Sequence, residues 1–131
     1  MGEDALVDIQ VTGAIELLRK LDDTGHGPSL AAWYYYDDAN EWRLLIASSE
    51  LDTLLSKQEA LAYRVIVSAL TSLRQPSLGL SQLKIIGTTS PLAKAFSFLL
   101  KTAPNGIVQA HFTNMTLNGL FLKEVILLRS A

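Results

Sequence analysis

The chain has 131 residues, 49% of them hydrophobic and 18% charged, with a formal net charge of −2 and no cysteine. This is long enough for one domain with a real core, too apolar for disorder, and without the basic excess that attracts nucleic acid or an anionic membrane. Disulfides, thiol nucleophiles and thiolate metal sites are excluded outright.

Met1-Gly2-Glu3-Asp4 is acidic and is followed by no apolar leader region, so no secretory signal is expected. Leu6 stands where a myristoylation motif needs Ser or Thr. No apolar run approaches the roughly 20 residues a membrane helix requires. A cytoplasmic location is the expectation.

Val7, Val11, Ala14, Leu18 and Leu21 recur at helical spacing, opposite Asp8, Glu16, Arg19 and Lys20, and predict an amphipathic helix ending near Asp22-Asp23. Thr24-Gly25-His26-Gly27-Pro28 breaks it. The next stretch, Ala31–Ser49, holds both tryptophans and three of the four tyrosines, and two strand-like runs flank the polar tip Asp37–Glu41. That pattern is a β-hairpin. With a five-residue tip, Tyr36 faces Trp42, Tyr34 faces Leu44 and Ala32 faces Ile46, which makes an uncharged core face. The opposite face then pairs Tyr35 with Arg43, Trp33 with Leu45 and Ala31 with Ala47.

Ser49–Leu55 reads as a connection or a short turn of helix, and Ser56-Lys57-Gln58-Glu59 as a capping box. The helix it opens carries Tyr63, Ile66, Val67, Leu70 and Leu73 on one stripe and stops at Pro76 and Gly79. Leu83–Ile86 is a short strand. Ser90 as N-cap and Pro91 at the first helical position open a third helix, with Leu92, Phe96, Leu99 and Leu100 as its stripe. After the Pro104-Asn105-Gly106 turn, Ile107–Arg129 reads as a second hairpin about Asn118-Gly119. A simple two-residue turn sets His111 opposite Ile126, mixing polar with apolar residues. A bulge near Thr113-Asn114 instead sets Val108, Ala110 and Phe112 beside Leu128 and Ile126, and is preferred. The order α-β-β-α-β-α-β-β predicts one α+β domain over 1–131, a sheet of about five strands with three helices packed on it.

Few residues carry chemistry. Asp37, Asp38 and Glu41 are acids that could hold a hard cation in a nuclease, but they crowd one turn, and Arg43 replaces the lysine such a site uses. A solvated turn accounts for them. Gly87, Thr88, Thr89 and Ser90 precede a helix N-terminus and form a candidate anion-binding loop, without the spacing or lysine of a P-loop. His26 and His111 are the only histidines and lack metal-ligand spacing. Either could act as a general base. No Gly-x-Ser-x-Gly elbow is present. No catalytic residue, metal or cofactor is assigned.

Trp33, Tyr35 and Arg43 are of the types enriched in interface hot spots, and they form the candidate partner-binding face. The plain alternative is that a helix covers this face and Arg43 snorkels to its edge. RNA stacking is not expected, given the net negative charge and the absence of an RNP pattern. The functional expectation is a non-enzymatic module that forms a homodimer or binds a protein partner, through this face or a sheet edge. A small enzyme or ligand-binding protein with a pocket between sheet and helices is the alternative.

Trp33-Tyr34-Tyr35-Tyr36-Asp37, Glu41-Trp42-Arg43-Leu44, Ile46-Ala47-Ser48 and the Asn118-Gly119 turn resemble a group of small uncharacterised bacterial proteins. That resemblance implies a bacterial origin. The group has no assigned activity, so it implies no functional residue.

Overall fold

A computed structural model describes residues 8–73, 78–117 and 119–131. Val7, Pro76 and Asn118, each singled out above, lie outside the described residues. The order is α1 (Asp8–Asp23), β1 (Leu30–Tyr36), β2 (Glu41–Ala47), α2 (Ser49–Lys57), α3 (Glu59–Thr71), β3 (Leu83–Ile85), α4 (Pro91–Ser97), β4 (Ala110–Leu117) and β5 (Leu120–Ser130). The fold is α+β, with one five-stranded sheet in the order β3-β2-β1-β5-β4. Every neighbouring pair is antiparallel except β2 and β3, whose parallel pairing requires the crossover that α2 and α3 supply.

The sheet is covered on both sides. One face packs against α1, α2 and α3 through Ala31, Trp33, Leu44, Ile46 and Leu128 of the strands and Leu17, Leu18, Leu51 and Ile66 of the helices. The other face, with Ala32, Leu45, Val125 and Leu127, packs against α4 through Ala93 and Phe96. The first helix is as its periodicity predicts, with Val11, Ala14, Leu18 and Leu21 buried. Ser90 and Pro91 open α4 as expected, the Ala93 amide donating to Ser90 Oγ.

Among the described residues there are four α-helices rather than three. Ser49–Leu55 belongs to α2, whose N-cap is Ser48: its side chain accepts from the Leu51 amide at 3.1 Å. Ser56 is not an N-cap, since it lies inside α2 and its hydroxyl donates to the Thr53 carbonyl. Helix α3 starts from Gln58 without a side-chain cap. Tyr63 on α3 ties the short β3 to the helical layer by accepting the Ile85 amide.

The hairpin register corrects the sequence reading. Tyr36 pairs with Glu41, Tyr35 with Trp42, Tyr34 with Arg43 and Trp33 with Leu44. The tip therefore has four residues, 37–40, because Asn40 adopts a left-handed φ of 57° and closes the turn one residue early. A one-residue shift exchanges the faces of one strand relative to the other. Trp33 and Tyr35 thus share the helical face with Trp42, Leu44 and Ile46, while Tyr34 and Tyr36 look toward α4.

The C-terminal hairpin keeps the simple register that seemed unfavourable: His111 opposes Ile126, Ala110 opposes Leu127 and Phe112 opposes Val125. No net shift occurs at Thr113-Asn114, yet the irregularity is there. Asn114 has φ 49° and makes no pair, and Lys123 opposite is also skipped. With one residue passed over on each strand, the register survives and both strands change face together. That is why Leu122 and Val125 both reach the α4-side core. The register shift instead lies between β1 and β5, where β5 passes over Leu128 opposite Ala31/Ala32.

Candidate functional site

The expected partner-binding face does not exist as a surface. Trp33 is 0% exposed and Tyr35 3%. Arg43, across from Tyr34, sits on the other side of the sheet and is paired with Glu41, Nε to Oε2 at 2.6 Å. The helical layer covers Trp33, while Tyr35 packs at a tilt against Trp42, 5.4 Å between ring centres, with the Lys123 ammonium over its ring. The Tyr35 hydroxyl donates to Asn40 Oδ1, which joins the strand to the turn that sets its register.

The candidate anion loop is already occupied from within. Asp52 of α2 accepts from the Thr88 amide at 3.2 Å and from the Thr88 hydroxyl. Ser90 caps α4, and its hydroxyl donates to the Gly87 carbonyl. Thr89 adds no donor to an outside ligand that the geometry singles out. The cleft beside this loop, reached by Thr88, Ala93, Ser97 and Lys101, measures about 200 Å³, which is small for a ligand site.

Two other places have the exposure that function needs. The first is the outer edge of the sheet. β4 is the terminal strand on that side, eight residues long, and among the described residues it pairs with β5 alone. His111, Thr113 and Thr116 are exposed there, as is Phe121 at 57%, which sits across from Thr116. His111 Nε2 lies 2.6 Å from Glu124 Oε2. The opposite sheet edge, β3, has three residues.

The second is a groove of about 560 Å³ between the end of α1, the following loop, α2 and α3. Its geometry begins in the helix-breaking motif. Gly25 has φ +81°, the His26 amide donates to the Leu21 carbonyl at 2.8 Å, and the Gly25 amide donates to the Asp22 carbonyl. These paired bonds are a Schellman C-cap, which needs glycine at the left-handed position. The cap turns the chain so that His26 meets Glu50 in the first turn of α2, Nδ1 to Oε2 at 2.8 Å. Gly27 has no room for a side chain, because a Cβ would lie 2.2 Å from Asp22 Oδ1.

That Asp22 carboxylate is engaged. Arg129 near the end of β5, 0% exposed, donates to both Asp22 oxygens at 2.9 and 2.7 Å, to the Pro28 carbonyl and to the Gly106 carbonyl. A buried guanidinium satisfied this fully is a clamp: it fixes the end of the sheet to α1 and to both flanking loops. The loop bearing His26 is thereby anchored on a rigid base.

The groove has an apolar floor of Leu54, Leu61, Val65 and Ala69, with Lys20, Arg64 and the His26–Glu50 pair around it. Ser68 and Ser72 also line it, but among the described residues no hydroxyl bonds to His26, and Ser72 donates to the Ala69 carbonyl. A nucleophile–base pair is therefore not assembled. Among the described residues no group of three or more His, Cys, Asp or Glu is placed to hold a metal ion, and no helix is long and apolar enough to cross a membrane.

The groove residues are ones that sequence reasoning missed, apart from His26. Lys20, Glu50, Leu54 and Arg64 come from three helices, one of which reads in the sequence as a connection or a short turn of helix, and only the fold brings them together. The signal available in the sequence was Thr24-Gly25-His26-Gly27-Pro28, a helix stop too specific in its glycines to be only a linker. No family model, curated protein or solved structure matches the chain.

Proposed function

We propose that this protein is a non-enzymatic interaction module that self-associates through β4, two copies pairing edge to edge into one continuous sheet. One observation carries the reading: the outer strand is long, uncharged and, among the described residues, unpaired along its outer side, its one interruption being Asn114. Natural edges are shortened, charged or covered, because a free row of N–H and C=O groups recruits another strand. The β3 edge follows that rule with its three residues. The β4 edge does not, and from Thr102 to Leu122 there is no Asp, Glu, Lys or Arg at all. Antiparallel pairing of β4 with its own copy satisfies both rows of backbone groups with one symmetric contact and opposes no like charges. The exposed Phe121 ring adds apolar area beside the strand.

Light scattering at micromolar concentration tests this. The expected mass is that of two chains. Thr113→Lys combined with Thr116→Lys, both at exposed positions, brings lysines of the two copies side by side and shifts the mass to one chain, with the melting temperature of the monomer little changed. A one-chain mass for the unaltered protein, or a two-chain mass that survives both lysines, overturns the proposal.

A further inference from the structure

We propose that the groove between α1, α2 and α3 is a binding site for an amphipathic carboxylate, a small molecule with one anionic head and an apolar body. The inference is independent of the oligomeric state, since no β4 residue lines the groove.

The first argument is an unmatched charge. Among the described residues three basic side chains are partly or wholly buried: Lys20, Arg43 and Arg129. Arg43 is paired with Glu41 and Arg129 with Asp22. Among the described residues Lys20 makes no ion pair or side-chain hydrogen bond, and its partly buried stem holds the ammonium at the margin of the groove. Arg64, which lines the same groove, has none either. The one carboxylate on the groove, Glu50, is taken by His26. The site thus holds cations in excess within a protein whose net charge is −2.

The second argument is shape. About 560 Å³ falls inside the roughly 300–1,000 Å³ range of small-molecule sites. An apolar floor with a few polar groups at its margin is what such sites present. Leu54, Leu61 and Val65 offer the floor, each only partly buried by the protein itself. An inorganic anion would satisfy the cations and leave this surface wet. A neutral hydrocarbon would cover the surface and leave Lys20 unpaired. A carboxylate on an apolar chain does both.

The Schellman cap and the Arg129–Asp22 clamp give the site a fixed wall. The wall on the other side is α3, whose Ala62 and Ile66 are locked in the core while Arg64, Val65 and Ser68 face the groove. Little reorganisation is then needed on binding, which favours affinity.

Dodecanoate, used well below its micelle-forming concentration, is the probe, and titration calorimetry is the measurement. Saturable one-site binding is expected, with Lys20→Met and Arg64→Met each weakening it by about tenfold, the scale of one charge-assisted hydrogen bond. Ser68→Trp, placed at an exposed rim position, should remove it by filling the groove. Dodecanol should bind far more weakly than dodecanoate. The Thr113→Lys/Thr116→Lys variant should bind as the unaltered protein does, which separates failure here from failure of edge pairing. Circular dichroism melting checks that each variant is folded, and amide shifts on titrating the unaltered protein should cluster on α1, α2 and α3. Absence of saturable binding, equal affinity for dodecanol, or undiminished binding in a folded Lys20→Met/Arg64→Met double variant overturns the assignment.

Discussion

The two hairpins exchange the roles their compositions suggest. β1–β2 carries both tryptophans and three tyrosines, the composition of a binding surface, yet Trp33 and Tyr35 are shut inside and the hairpin lies between β3 and β5. β4–β5 is compositionally plain, yet it supplies the free edge and an exposed phenylalanine. Aromatic content measures how much surface a segment could bury, not whether the fold or a partner does the burying. What separates the two is position in the sheet. A central hairpin has both faces and both edges claimed, while a peripheral one keeps an edge whatever its side chains are.

Trp33→Ala should break the comparison hardest if the aromatic hairpin were the interface. Trp33 is fully buried, so its removal should cost about 3–5 kcal/mol in urea unfolding, as for large-to-small changes in a core. The mass of whatever remains folded should be unchanged. Loss of self-association without loss of stability would instead restore the aromatic face as a contact surface. Arg129→Ala comes next and tests the anchored half of the other hairpin. It leaves the Asp22 carboxylate without its partner, and breaking a buried pair costs about 3–5 kcal/mol. Asp22 keeps 15% of its side chain exposed, so the lower end, about 3 kcal/mol, is expected from the same unfolding curves. The lysine pair on β4 should do the reverse, with little effect on the monomer and a large one on mass.

Periodicity and punctuation made the elements legible, and sidedness was lost at the turns. The α1 stripe, the Ser90-Pro91 helix start and both hairpins follow from residue spacing, because apolar faces must point inward. The faces of the first hairpin depended on whether its tip held four residues or five, which Asn40 decided through a left-handed conformation that asparagine tolerates. Asn114 was located as an irregular point, but the compensating skip of Lys123 is a property of the partner strand and has no local signature. The anion loop failed for a similar reason. Its occupant, Asp52, lies 36 residues upstream in a segment that reads equally as a connection or a short turn of helix. The groove lay furthest out of reach, since its lining is drawn from α1, α2, α3 and the loop after α1.

The smallest effect should appear only in alkali and bears on the half-buried side of the aromatic hairpin. Tyr34 packs edge-on against Tyr36 at 4.8 Å and near Phe96 at 6.0 Å. Burial raises its phenol above the ordinary value of 10.0, and the neighbouring Tyr36, Asp38 and Asp37 push the same way. A raised value means the folded chain holds this proton more tightly than the unfolded chain. Stability from this group is therefore complete below the unfolded value of about 10 and falls as pH rises through the folded one. Tyr34→Phe removes the titrating group and keeps the ring, so urea midpoints measured from neutral pH upward should decline less steeply above pH 10 in the variant. Equal slopes would mean that Tyr34 is no more buried in the folded chain than in the unfolded one, and the contrast drawn between a covered central hairpin and an open peripheral one would fail on its α4 side.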